Sequence, residues 1–110
     1  MRSDLQELID LWVAFRDERD WEQFHNPKDL ALGLSIEAAE LNELFLWKPP
    51  EEANLDKVKE ELADVFGFAL LLANHYQLDI AEIVKAKLQL NAEKYPVEKA
   101  KGSNRKYTEL

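Results

Sequence analysis

The chain has 110 residues, 46% apolar and 33% charged, with 14 Lys plus Arg against 22 Asp plus Glu for a formal net charge of −8. That is the length of one domain, 1–110, with enough apolar residues for a core and too many for a wholly disordered segment. The lack of cysteine excludes disulfides and thiolate metal sites, and the acidic balance argues against duplex nucleic acid as a partner. The longest small-or-apolar run, residues 65–73, is nine residues, against the roughly 20 of a membrane helix. No basic-then-apolar segment opens the chain, so the expectation is a cytoplasmic domain with no membrane partner.

Ser3-Asp4-Leu5-Gln6 has the spacing of a capping box and opens a first helix, with Leu5, Leu8, Ile9, Trp12 and Phe15 on one stripe. The pattern breaks over Asp20 to Asn26, a segment that carries Trp21, Phe24 and His25. Asn26-Pro27 reads as an N-cap with proline at the first helical position, opening a second helix to about Trp47, where Pro49-Pro50 stops it. A third helix is expected from about Leu55 to Tyr76. Asp79-Ile80-Ala81-Glu82 is again a capping-box spacing and starts a fourth, fading before Pro96. The last residues, from about 94 to 110, form a polar, basic tail. No alternating strand pattern or repeat occurs, so the class is all-α, an antiparallel four-helix bundle.

Charge divides along the chain. Residues 1–80 hold 7 bases and 18 acids, whereas residues 81–110 hold 7 bases and 4 acids. Such asymmetry is common colloidal design, and it also suits a ligand that is polyanionic at one end and needs a metal at the other. The third helix is apolar on two sides, through Val58, Val65, Phe68 and Leu72 on one and Leu62, Phe66, Leu70 and Ala73 on another. A helix apolar nearly all round is buried nearly all round. Four helices from one short chain can hardly enclose it, so the bundle is expected to be completed by homo-oligomerisation.

The acids of the second and third helices fall among apolar positions. With Glu37 as zero and roughly 100° per residue, Leu30, Leu34, Leu41 and Leu44 lie within about 60° of it and Glu40 at about −60°. With Glu61 as zero, Val58, Val65, Phe68 and Leu72 lie within about 60° and Asp64 at about −60°. Two helices joined by a short connection pack antiparallel, stripe to stripe. Glu37, Glu40, Glu61 and Asp64 would then converge in the interior, where unpaired carboxylates cost several kcal/mol each. Lys57 shares the face but lies a turn away, and one ammonium does not balance four acids. Oxygen ligands without cysteine suit a hard cation, Mg²⁺ or Mn²⁺. Solvated acids at a helix rim are the bland reading, and two pairs at equal i, i+3 spacing weigh against it. Di-iron bundles use Glu-x-x-His on two helices, and neither pair here has the histidine.

Ile36-Glu37-Ala38-Ala39-Glu40, then a 20-residue gap to Glu61-Leu62-Ala63-Asp64, resembles the acidic signature of the MazG-type all-α nucleoside triphosphate pyrophosphohydrolases. Glu18-Arg19-Asp20-Trp21-Glu22-Gln23-Phe24-His25, Glu43-Leu44-Phe45-Leu46-Trp47-Lys48, Lys94-Tyr95-Pro96-Val97 and Arg105-Lys106-Tyr107-Thr108-Glu109-Leu110 are similar to the dCTP pyrophosphatase branch. Ile36 takes the place of the first acid of the general signature, so no ligand is assigned there.

The resemblance implies hydrolysis of a deoxynucleoside triphosphate, dCTP-like in preference, between the α and β phosphates to the monophosphate and pyrophosphate. Glu37, Glu40, Glu61 and Asp64 would hold Mg²⁺, with Mn²⁺ a substitute, as the catalytic set. Trp21, His25 and Trp47 resemble the base and sugar pocket, although each Trp taken alone is as readily core. Asn91 and Tyr95, i and i+4 on the fourth helix, match a region the family uses for substrate, and Lys87 and Lys94 flank them, as phosphate contacts or as solvated lysines. Gly33 lies one turn before Glu37, which fits either space for ligand or close helix packing. His75 reads as structural. The implied assembly is a homodimer or homotetramer. A broader or modified-dNTP pyrophosphatase of the same fold, and a non-catalytic helical interaction module, are the alternatives.

Overall fold

Four side-chain caps set where the long helices of this computed structural model begin, and the structure describes residues 3–110; the first two positions of the expected domain lie outside them. Ser3 accepts from the Gln6 amide to open α1, Asp4–Glu18. Asn26 accepts from the Asp29 amide to open α2, Pro27–Glu43, with Pro27 at the first position. Asn54 accepts from the Lys57 amide to open α3, Leu55–His75. Asp79 accepts from the Glu82 amide to open α4, Ile80–Lys94. Each cap satisfies an amide the first helical turn leaves without a partner. A single α-turn, α5 (Val97–Ala100), and three 3₁₀ turns at Glu22–Phe24, Pro50–Glu52 and Tyr107–Glu109 complete the elements, and no strand occurs among the described residues. The all-α class is as expected.

α2 ends sooner than expected, at Glu43 rather than about Trp47. Beyond it the amides of Leu44, Phe45 and Leu46 bond to carbonyls three residues back, a tightened turn rather than α-helix. Lys48 precedes Pro49, a position that disfavours helical backbone, and Trp47 takes up the reversal with φ 61°. The tail, expected as merely polar, contains α5 and the Tyr107–Glu109 turn.

The chain divides into two compact units, one up to Leu78 and the other Asp79–Leu110. In the first, α3 packs against α2 most extensively and against α1 as well. Phe68 of α3 lies at Gly33 of α2, while Asp64 and Glu61 meet Glu37. Rising numbers on one helix meet falling numbers on the other, so the pair is antiparallel. Two glycines permit this closeness: a Cβ on Gly33 would overlap the Phe68 ring, and one on Gly67 would come within 2.5 Å of the Trp12 indole. The buried apolar residues, Ile9, Leu30, Leu70, Leu71 and Ala73, all belong to this unit. Leu30 is 2% exposed, and truncating such a residue to Ala costs roughly 2–5 kcal/mol. Within one chain Leu62 and Phe66 of α3 stay exposed. The second unit has no fully buried side chain. Among the described residues no helix is long and apolar enough to cross a membrane.

Candidate active site

Glu37 comes from the middle of α2, and Glu61 and Asp64 from one turn of α3. One carboxylate oxygen from each lies within 4.8 Å of the others. The apolar stripes that bring α2 and α3 together carry these acids with them. Oε2 of Glu37 and Oε2 of Glu61 are buried and have no hydrogen-bond partner. Glu40 is more exposed, at the edge of the group, with its carboxyl within hydrogen-bonding reach of Glu37 and Glu61.

Burial raises the Glu37 carboxyl to about 7, helped by the hydrogen bond its protonated form donates to Glu40 and then by the charges of Glu40, Asp64 and Glu61. Glu61 is raised by desolvation first, then by Glu40 and the Asp64 charge, against a hydrogen bond from Glu37 that pulls the other way. Oxygens that face only other oxygens need either shared protons or a cation between them. Three carboxylates on rigid helices, with two orphaned oxygens, fit a hard divalent ion of the oxygen-loving kind. Cysteine and histidine contribute nothing to this donor set.

Beside the acids lies a cavity of about 260 Å³ lined by Trp12, Phe15, Arg16, Trp21, His25, Glu37, Asp64, Phe68 and Leu71. Its aromatic end is braced internally. Trp12 meets Phe15 edge to face at 5.9 Å, Phe15 meets Trp21 at 5.8 Å, and Arg19 lies 3.6 Å over the Phe15 ring. The Trp21 amide bonds to the Arg16 carbonyl at 3.1 Å, folding the segment after α1 back on its own helix. His25 is tilted against Phe68 at 6.4 Å, and its Nδ1 is buried without a partner. Desolvation and then the Arg16 charge lower its pKa, so the imidazole is neutral at pH 7.

Trp21 and His25 therefore share a cavity with Glu37 and Asp64. Trp47 does not line it; its side chain stands out from the turn after α2, 93% exposed. Lys87, Asn91, Lys94 and Tyr95 lie on or just after α4, in the second unit. There the Asn91 carbonyl accepts from the Tyr95 amide at 2.8 Å, Tyr95 meets Tyr107 edge to face, and Lys94 Nζ lies 4.8 Å over the Tyr107 ring. His75 packs on Tyr76, outside the cavity.

Sequence reasoning placed Trp12 and Phe15 in the core and passed over Arg16 and Leu71. The signal for both was present: Arg16 follows Ile9, the buried residue of α1, by seven, and Leu71 follows Asp64 by seven, so each pair shares a helix face.

Comparison with known proteins gives the same direction. The MazG-like family model matches residues 32–110. The chain is 40% identical to dCTP pyrophosphatase 1 of Bos taurus over 96% of this chain and 68% of that protein, and 41% identical to the Homo sapiens protein of that name over 96% and 67%. A crystal structure of a pyrophosphatase from Archaeoglobus fulgidus superposes with a TM-score of 0.80 at 38% identity, covering 87% of this chain and 95% of that one.

Proposed function

This chain belongs to the MazG-like family, and from that premise we propose that it hydrolyses deoxynucleoside triphosphates, with dCTP favoured, to the monophosphate and pyrophosphate. The observation that carries the reading is the cluster of Glu37, Glu61 and Asp64, two with buried unpartnered oxygens, of which Glu37 and Asp64 line a cavity otherwise walled largely by aromatic rings. A nucleotide has the same polarity, anionic at one end and a flat ring at the other.

Glu37, Glu61 and Asp64, with Glu40 at the edge, would hold Mg²⁺ or Mn²⁺. Bound there, the ion would neutralise phosphate charge and lower the pKa of coordinated water. The acids keep fixed positions because both helices are packed, so little reorganisation accompanies binding. A carboxylate oxygen left free by the ion orients the attacking water and takes its proton. Trp21 offers a plane to the base, and the neutral His25 offers Nδ1 as a hydrogen-bonding group. Roles for Trp47, Lys87, Asn91, Lys94 and Tyr95 in substrate contact rest on the family resemblance.

We further propose a homodimer or homotetramer, since Leu62 and Phe66 of α3 and Leu8 and Leu11 of α1 remain exposed in one chain. Light scattering behind size exclusion reads this directly, and a monomer at micromolar concentration would refute it.

The primary experiment incubates the protein with each dNTP and Mg²⁺ and measures pyrophosphate and monophosphate. Release from no dNTP would leave a helical interaction module. A separate measurement titrates Mg²⁺ at ionic strength held constant with sodium and follows the melting temperature. Binding to the folded state alone stabilises by about 2.7 kcal/mol at a hundredfold excess over Kd. The variant that combines Glu37→Gln, Glu40→Gln, Glu61→Gln and Asp64→Asn loses that response and keeps ordinary salt screening. Identical melting of the two proteins across the series would return the acids to the surface.

A further inference from the structure

Arg16 is the single permanently cationic side chain lining the cavity, and the chemistry above gives it no task. Its side chain is only 13% exposed. Nε donates to Asp17 Oδ1 at 2.9 Å and Nη2 lies 2.9 Å from the same oxygen, so Asp17 occupies one edge of the guanidinium. Glu22 Oε2 stands 3.9 Å from Nη2, too far for a hydrogen bond but on the same head. Among the described residues no acceptor meets Nη1. The outer Nη1–Nη2 edge is left as a pair of parallel donors on a side chain whose stem and orientation are fixed.

Arg16 belongs to the aromatic end of the cavity. Its carbonyl holds the Trp21 amide, and it carries no ion pair to Glu37 or Asp64. Its charge bears on His25 instead. If phosphates lie at the carboxylates, what reaches Arg16 is the base. Of the pyrimidines, cytosine alone presents two adjacent acceptors, N3 and O2, followed by the N4 amino donor. Uracil and thymine place a donor, N3–H, where cytosine has an acceptor. A guanidinium edge matches the first pattern with two parallel hydrogen bonds and the second with one, leaving its other N–H facing an N–H. Glu22, beside Nη2, is placed to accept from an amino group and not from a carbonyl.

We infer that Arg16 is a specificity-determining residue that reads the N3 and O2 acceptors of a cytosine base through its outer guanidinium edge. The inference rests on the dNTP reading above and deepens it. A substrate offering a donor at N3 leaves a desolvated N–H unpaired, the kind of mismatch that discriminates more strongly than a change of apolar size.

dCTP and dUTP share O2 and differ only at N3 and the 4-substituent, so their ratio of kcat/KM is the readout, measured for wild type, Arg16→Gln and Arg16→Lys. Wild type favours dCTP, and both variants lower the ratio by roughly tenfold, chiefly through a higher KM for dCTP, with the efficiency on dUTP nearly unchanged. Arg16→Lys keeps the charge and loses the parallel edge, so a wild-type ratio in that variant overturns the inference. So does an unmoved ratio in Arg16→Gln, or a wild-type enzyme indifferent between the two substrates. A merely structural Arg16 lowers both efficiencies together and leaves the ratio alone, which counts against it as well. Should either variant turn over too slowly, calorimetric binding of dCMP and dUMP gives the same ratio without catalysis. Wild type releasing pyrophosphate from neither substrate fails the enzyme reading itself, an outcome distinct from activity with an unmoved ratio.

Discussion

The two ends of the cavity are built on opposite terms. At the acid end, Glu37 and Asp64 of the lining join Glu61 beside it to bring like charges within 4.8 Å, and two of the oxygens have no donor. At the aromatic end, Trp12, Phe15 and Trp21 meet edge to face and Arg19 closes over Phe15, so the rings are braced before any ligand arrives, while His25 Nδ1 and the outer Arg16 edge wait for a partner. One end is destabilised by like charge and the other is held by its rings. Reactive groups here stand out by mutual repulsion, whereas recognition groups sit among packed aromatic rings.

The largest expected effect breaks the acid end. Glu61→Gln should lower pyrophosphate release by about a hundredfold or more, while circular dichroism stays helical and the metal-free melting temperature holds or rises, because a like charge has gone. Release near the wild-type rate would take the carboxylates out of the chemistry.

Gly67→Ala tests whether the aromatic end depends on backbone clearance. The new methyl meets the Trp12 indole, and overpacking of this kind costs about 1–3 kcal/mol. Urea unfolding should show that loss; unchanged stability would mean the indole has room to move. Next in size, His25→Ala should raise KM severalfold with kcat nearly constant, since a contact remote from the acids acts on ground-state binding. An equal fall in kcat would give His25 a part in the chemical step.

The smallest effect separates the ends by pH. Glu37 is raised from 4.5 to about 7 in the folded chain, so the folded state holds its proton where the unfolded chain has released it. That contribution is full below about 4.5 and is lost as pH rises through about 7. Metal-free protein should therefore melt lower as pH climbs across this window, and Glu37→Gln should make the slope shallower. Equal slopes would deny Glu37 its raised pKa.

Helix starts were legible because Ser3, Asn26 and Asp79 each sit where a cap must, and all three accept the expected amide. Asn54 was not anticipated as a cap, since Lys57 occupies the position where a capping box has its acid. The carboxylate convergence followed from periodicity, because side chains on one stripe of each helix must meet when the stripes pack. The end of α2 was read from Pro49-Pro50 and set too late, because the chain leaves α-helix after Glu43 through a tightened turn ahead of the proline. Arg16 escaped for a different reason. A charged residue on a buried face is usually taken as rim, and only the fold shows that α1 brings this one to the aromatic turn.

Tryptophan placement has an optical consequence. The chain has three: Trp12 and Trp21 line the cavity, and Trp47 stands in solvent at 93% exposure on a left-handed turn. Excitation at the indole band therefore samples two environments at once, a pair against the cavity wall with Trp21 still 42% exposed, and an almost fully solvated one with red-shifted emission. Nucleotide binding should quench the former, and any surface that covers Trp47 should shift the latter toward the blue. Ligand occupancy and contact at the α2 turn thus become separable in one emission spectrum, with no label added.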